Sequence, residues 1–193
     1  METRKIELTL EQAREYYREG GKLKELALSV YSEKELTLPI IERIKTFEDA
    51  VNELGEDNDY VKEYKIVIGT FWSMTSDLKA YLKLRIICAA LNEGWKPKFK
   101  KEEWRYSPYF YLYTKDELEK KTDAWKKENN AVLVGGFASY GAVAGLVCAY
   151  SINSPSATST NLGSRLCLKS RDLALYCGKQ FAHIWADFLL IRK

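Results

Sequence analysis

The sequence predicts an α+β fold: a helical N-terminal half, a small antiparallel sheet in the C-terminal half, and a closing C-terminal helix. Three observations predict it. Up to Asn92, apolar residues recur at three- and four-residue spacing behind recognisable N-caps. Between Tyr106 and Tyr150 that rhythm gives way to period-two alternation and short β-branched runs. From Ser170 onward Leu173, Cys177, Phe181, Ile184 and Phe188 restore helical spacing.

Thr9 with Gln12 forms a capping box, since the hydroxyl accepts an otherwise orphaned amide while the glutamine reaches back. The helix it starts should stop at Gly20-Gly21, where a left-handed residue costs least. A second helix from Lys22 to about Tyr31 carries Leu23, Leu26, Ala27 and Val30 on one side, and Pro39 breaks the pattern. Thr46 with Asp49 opens a short helix closed by Gly55, and Asp57 to Gly69 supports another through Tyr60, Tyr64, Val67 and Ile68.

Ser76 to Asn92 reads as a central core helix. Tyr81, Leu84, Cys88 and Leu91 form one stripe and Leu82, Ile86 and Ala89 an adjacent one, an arc wider than a surface helix needs. Lys79 and Lys83 mark its expected wet side. Beyond it, Tyr106 to Tyr113 alternates around Pro108 as an edge strand would. Thr114 and Glu117 cap a charged helix expected to reach Glu128. Strands are expected over Ala131 to Gly136, Ala144 to Tyr150 and Leu162 to Leu168, with a polar loop from Asn153 to Asn161, and Ser170 caps a last helix running to Ile191. The expected organisation is a helical N-terminal appendage over residues 1–40 and one α+β domain over 41–193.

Composition removes several function classes. A chain of 193 residues with 46% hydrophobic and 13% aromatic content can bury a sizeable core. Thirty basic against 27 acidic residues leave a net charge of +3, too balanced for the one-sided field of a nucleic-acid binder. The segment Met1 to Leu10 is charged from Glu2 and lacks the apolar core of a signal peptide, and no long uncharged apolar run follows. Synthesis and folding in the cytoplasm, with no membrane partner, are therefore expected. Cys88, Cys148, Cys167 and Cys177 show no C-x-x-C spacing and lie in apolar stretches, as buried small hydrophobes do. His183 is the single histidine and sits among Phe181, Ile184 and Trp185, where a packing role is expected. A His-based metal site or a Ser-His-Asp triad has nothing to build from, so no catalytic residue, metal or cofactor is expected.

One segment departs from the rest. From Gly135 to Ser164 there is no Asp, Glu, Lys or Arg, in a chain that is 30% charged. Gly, Ala, Ser, Thr, Tyr and Asn dominate, the residues adaptable binding surfaces use: tyrosine brings contact area at little entropic cost, and serine and asparagine bring flexible hydrogen bonding. The alternative is close sheet packing that requires small residues.

The order Gly135-Gly136, Ala144-Gly145-Leu146, Pro155-Ser156 and Asn161-Leu162-Gly163-Ser164-Arg165 resembles the variable region of diversity-generating-retroelement target proteins. The resemblance implies a C-type-lectin-like sheet with a variable-type binding region over 135–165. Its scaffold would be Gly135, Gly136, Ala144, Gly145, Leu146, Asn161, Gly163 and Arg165, presenting Ser139, Tyr140, Val143, Tyr150, Ile152, Asn153, Ala157 and Ser159 to a ligand. Ser164 stands where that family has an aromatic residue, Ala138 where it has tryptophan, and a further helix follows Arg165. Residues 40 to 190, notably Ala89 to Pro97, Gly163 to Ser170 and Tyr176 to Phe181, also resemble uncharacterised proteins of gut-bacterial phages and prophages. Together these imply a non-enzymatic receptor- or ligand-binding protein of phage or mobile-element type, virion-borne or intracellular, whose partner is a protein or surface ligand.

Two alternatives stay open. A nucleic-acid or phage-regulatory role would use Lys96, Lys98, Lys100, Lys101 and Trp104. A structural role would bury the charge-poor segment in a homo-oligomer interface.

Overall fold

A computed structural model describes residues 8–71, 73–98, 100, 102–129, 131–133, 145–155 and 162–190; for residues 132–133 and 145–155 it is the backbone that is described. The chain divides into two units, Met1–Arg43 and Ile44–Lys193. In the first, α1 (Leu10–Glu19) starts at the Thr9–Gln12 capping box and ends at Gly20, followed by α2 (Gly21–Val30), α3 (Glu33–Leu36) and α4 (Ile40–Arg43). Ala13 and Ala27 are both fully buried where α1 meets α2, and Leu36 joins them. Polar contacts close the unit: the Tyr31 hydroxyl donates to the Leu8 carbonyl at 2.8 Å, and Arg14 Nε donates to the Glu35 carbonyl at 3.0 Å.

The second unit is assembled around α7 (Ser76–Leu91), preceded by α5 (Phe47–Leu54) and α6 (Asp59–Thr70). Leu82, Leu84, Ile86, Ile87, Cys88, Ala90 and Leu91 are buried, so α7 is apolar nearly all round, as a helix enclosed by neighbours must be. Lys79 is exposed, but Lys83, expected on the wet side, is half-buried with its ammonium 4.8 Å from the Phe47 ring centre. Arg85 is buried among α7's neighbours. Its guanidinium lies 4.3 Å from the Tyr60 ring centre and 5.7 Å from that of Tyr81, and Nη2 meets Glu63 Oε2 at 2.8 Å.

Three strands follow: β1 (Trp104–Tyr113), β2 (Val132–Leu133) and β3 (Gly145–Pro155), in spatial order β1-β3-β2 with both pairings antiparallel. β3 runs five residues beyond the expected end at Tyr150, so Asn153 lies in the strand rather than a loop. Between β1 and β2 the expected single helix is two, α8 (Lys115–Glu119) and α9 (Asp123–Glu128). The break has a local cause: the Thr122 hydroxyl accepts the Trp125 amide and so starts a new N-cap.

The strand expected over Leu162–Leu168 does not form. Gly163 sits at φ 73°, in the left-handed region, and Ser164–Leu166 make a 3₁₀ turn. Leu168 alone pairs with β1, through Tyr106 N–H to Leu168 carbonyl at 3.0 Å and the reverse bond at 2.8 Å. The flanking backbone is taken by Asn92, just past the end of α7. Its Nδ2 donates to the Cys167 carbonyl at 2.9 Å, and its Oδ1 accepts the Lys169 amide at 3.0 Å.

The closing helix is also two segments, α10 (Arg171–Gln180) and α11 (Ala182–Leu189), broken at Phe181 with φ −110° and ψ 27°. Phe181, Ala182, Trp185 and Ala186 are all buried at and beyond the break. Aromatic contacts connect the layers: Phe110 of β1 to Trp185 at 5.7 Å, Trp185 to Phe188 at 6.1 Å, and Phe188 to Tyr81 at 5.9 Å. From the middle of α10, the Tyr176 hydroxyl donates to the Ile44 carbonyl at 2.6 Å.

Two outcomes are expected. Asn92→Ala strands a buried carbonyl and a part-buried amide, at about 1–3 kcal/mol for each group left unpaired. Urea unfolding should therefore register a loss of about 2–4 kcal/mol, whereas a loss near zero would mean water replaces the side chain. Glu63 is held below its ordinary value of 4.5 chiefly by the hydrogen bond from Arg85. A depressed carboxylate pKa contributes stability above the unfolded value and loses it as pH falls through the folded one. Glu63→Gln should thus lower the melting temperature at pH 7, and the gap from wild type should close as pH falls below the ordinary glutamate range and through the lowered value.

Candidate functional site

β1 has two unlike faces. Pro108 and Phe110 point toward α10 and α11, where Pro108 is buried and Phe110 packs on Trp185. Strand alternation turns Tyr109, Tyr111 and Tyr113 to the opposite face. There Tyr109 and Tyr111 stand 5.7 Å apart edge to face, Tyr111 and Tyr113 6.4 Å apart, and Tyr113 meets Trp125 of α9 at 5.6 Å. Lys121 closes the row, its ammonium 4.9 Å from the Trp125 ring and 5.7 Å from that of Tyr113.

The row stays partly open to solvent, with Tyr111 47% and Tyr109 36% exposed. Each edge-to-face pair contributes roughly 0.5–1.5 kcal/mol beyond burial, so the rings are held in place without being enclosed. A pre-ordered row of aromatic surfaces with phenolic hydroxyls and one ammonium can stack on a flat or apolar partner and hydrogen-bond at its margin.

The backbone of β3 lies directly against this strand. Its register sets Tyr150 opposite Tyr109, Ile152 opposite Ser107 and Asn153 opposite Tyr106, with an irregularity between Tyr109 and Phe110 where β3 gains a residue. Directly opposed positions of an antiparallel pair belong to the same face, which places position 150 on the face of the tyrosine row. Ile152, opposite Ser107, also belongs to that side of the sheet; Asn153, opposite Tyr106, belongs to the other. Gly145 and Leu146 begin β3 against Tyr113 and Leu112 and are also matched to Leu133 and Val132 of β2. Gly135, Gly136, Ser139, Tyr140, Val143, Ala144, Ala157, Ser159 and Asn161 lie outside the described residues. Gly163 begins the 3₁₀ turn, and Arg165, expected beneath the presented surface, is exposed and near enough to Glu63 to help hold that carboxyl ionised.

The remaining sequence candidates fall elsewhere. Lys96, Lys98 and Lys100 are exposed, and Glu103 accepts the Lys98 amide at 2.5 Å, which puts a carboxylate inside the basic patch. Cys88, Cys167 and Cys177 are buried free thiols. A hydrogen bond with Cys177, together with burial, pushes the Cys88 thiol well above its ordinary value, and burial pushes Cys167 up; such thiols are poor nucleophiles at neutral pH. His183, expected to pack, is exposed on α11. Among the described residues no group of three His, Cys, Asp or Glu side chains is placed to hold a metal ion, and no helix is long and apolar enough to cross a membrane.

Residue patterns alone missed the β1 row as a site. The signal was present: Tyr109, Tyr111 and Tyr113 recur at every second position of a strand, and Trp125 sits in the first turn of the helix that returns to it. Comparison with family models, curated proteins and solved structures gives no match.

If the row is surface and its back is core, the two faces of β1 must differ in mutational cost. Phe110→Ala should lose roughly 3 kcal/mol or more as a large core ring is truncated, and Tyr111→Ala about 1 kcal/mol. Denaturant unfolding of the two variants checks this, and equal losses would place Tyr111 in the core.

Proposed function

We propose that this chain is a non-enzymatic binding protein whose contact surface is the sheet face carrying Tyr109, Tyr111 and Tyr113 and continuing onto β3 at Tyr150. The observation that carries the reading is the tyrosine row itself: four aromatic rings in mutual contact, backed by a packed core, and partly exposed. Binding energy concentrates in such tyrosine- and tryptophan-rich patches because rigid rings lose little entropy on contact. The charge-free segment from Gly135 to Ser164 enters the sheet beside this row through β3, so the aromatic strand and a Tyr/Ser/Asn-rich segment would form one surface.

The resemblance to diversity-generating-retroelement target proteins supports the finer reading. On it, the fold is a C-type-lectin-like scaffold, the protein belongs to a phage or mobile element, and Ser139, Tyr140, Val143, Tyr150, Ile152, Asn153, Ala157 and Ser159 are the positions that vary. A receptor on a bacterial surface is the partner class that setting favours.

Two measurements test the two levels separately. Fluorescently labelled wild type and a Tyr109→Ala/Tyr111→Ala variant, titrated against a panel of intact gut-bacterial isolates, should differ by at least tenfold in apparent affinity while their melting curves stay close. Equal binding, or binding to none of the isolates, contradicts the assignment of this face. Sequencing the source locus should reveal a reverse transcriptase and an adenine-rich template copy of residues 135–165. A locus without them removes the diversification reading and leaves the binding face to stand on the cell titration.

A further inference from the structure

The outer edge of β1 is half closed and half open. In this sheet β1 has β3 on one side only. On the other, the Tyr106 amide and carbonyl are both used by Leu168, which fixes which residues point their backbone outward. Alternation gives Pro108, Phe110 and Leu112 the same direction as Tyr106. Pro108 has no amide to offer and guards its position. Beyond it, no described residue outside the sheet pairs with the backbone of Phe110 or Leu112. Natural edge strands are blunted with charged side chains, yet from Tyr106 to Tyr113 there is no Lys, Arg, Asp or Glu, and Leu112 is 55% exposed.

The pattern of this open stretch, tyrosine alternating with an apolar residue, is the same in both directions, although Phe110 and Leu112 differ in identity. Tyr109-Phe110-Tyr111-Leu112-Tyr113 is symmetric about Tyr111, with tyrosines at the ends and centre and two apolar residues between. We propose that β1 pairs antiparallel with β1 of a second copy of this chain about a twofold axis at Tyr111, joining two sheets into one. In that register Phe110 exchanges both backbone hydrogen bonds with Leu112 of the partner, and Leu112 with Phe110, so all four outward N–H and C=O groups of each copy are satisfied. Tyr111 opposes Tyr111, and Tyr109 opposes Tyr113, aromatic cross-strand pairs of the kind that stabilise sheets. No like charges meet across the axis. The paired stretch ends before Pro108 and Leu168 at one side and before Lys115, where α8 begins, at the other, so the features that close the rest of the edge lie outside it.

This pairing uses the edge of β1 and does not depend on the binding reading, which uses its face. It does set two tyrosine rows side by side on one continuous surface.

Sedimentation equilibrium of the full chain should give about twice the 22.3 kDa of one copy. Leu112→Pro removes an outward amide that no described residue outside the sheet uses, and Leu112→Lys places a charge at the edge. Both should halve the sedimenting mass with the circular dichroism spectrum unchanged. Should the proline variant fail to fold, the lysine variant carries the test. Under mild oxidation Tyr111→Cys should form a disulfide-linked dimer, since opposed non-bonded positions lie about 4.5 Å apart between Cα atoms. Tyr109→Cys should not, its own counterpart being roughly 13 Å away along the strand. A wild-type monomer at every concentration reached, a dimer indifferent to Leu112→Lys, or equal crosslinking by the two cysteine variants would overturn the proposal.

Discussion

Asn92 ties the helical core to the sheet. It stands one residue past the end of α7, buried, and spends both halves of its amide on the backbone either side of Leu168. That clamp leaves Leu168 free to make one reciprocal pair with Tyr106, which fixes the start of β1. Glu93 adds an ion pair to Lys169 at 2.7 Å, and Cys88 of α7 faces the Leu166 carbonyl at 3.8 Å. A side chain with a donor and an acceptor on one planar group is needed, because the two backbone groups it meets are of opposite kind. Aspartate would satisfy the amide and repel the carbonyl; leucine would satisfy neither.

Everything at the candidate surface inherits its order from this junction. With β1 held at Tyr106 and packed through Phe110 on Trp185, the alternate residues have no choice but to face away from α10 and α11. The tyrosine row is then a consequence of register: a slip of one position would bury Tyr109, Tyr111 and Tyr113 and expose Pro108 and Phe110. The same register sets position 150 of β3 on that face and directs the backbone N–H and C=O groups of Phe110 and Leu112 outward at the edge. Face and edge thus follow from one alignment.

The helices were legible where a cap and a stripe coincided. Thr9–Gln12, Thr46–Asp49 and Thr114–Glu117 all form their capping boxes, and the doubled apolar stripe of α7 is buried except at the half-buried Tyr81 and Ala89. What escaped the sequence was decided by competition for hydrogen bonds. Thr122 captures the Trp125 amide and divides one charged helix into two. Asn92, distant in sequence, takes the Cys167 carbonyl and the Lys169 amide at the end of the expected strand, and no local pattern announces such a claim. Lys83 reads as a surface lysine until Phe47 is brought beneath its ammonium. The site was legible only in part: the charge-free segment directs attention to β3, but the tyrosines of β1 read as ordinary strand residues until their shared, uncovered face is seen.

The sheet is joined to α7 through Asn92, and native-state amide hydrogen exchange tests that junction most directly. The amides of Tyr106 and Leu168 should exchange only with global unfolding, at the same free energy as the buried centre of α7 around Ile86. Exchange of those two amides by a separate local opening, well ahead of α7, would contradict it, because the tyrosine face would then rest on a strand that detaches from the core.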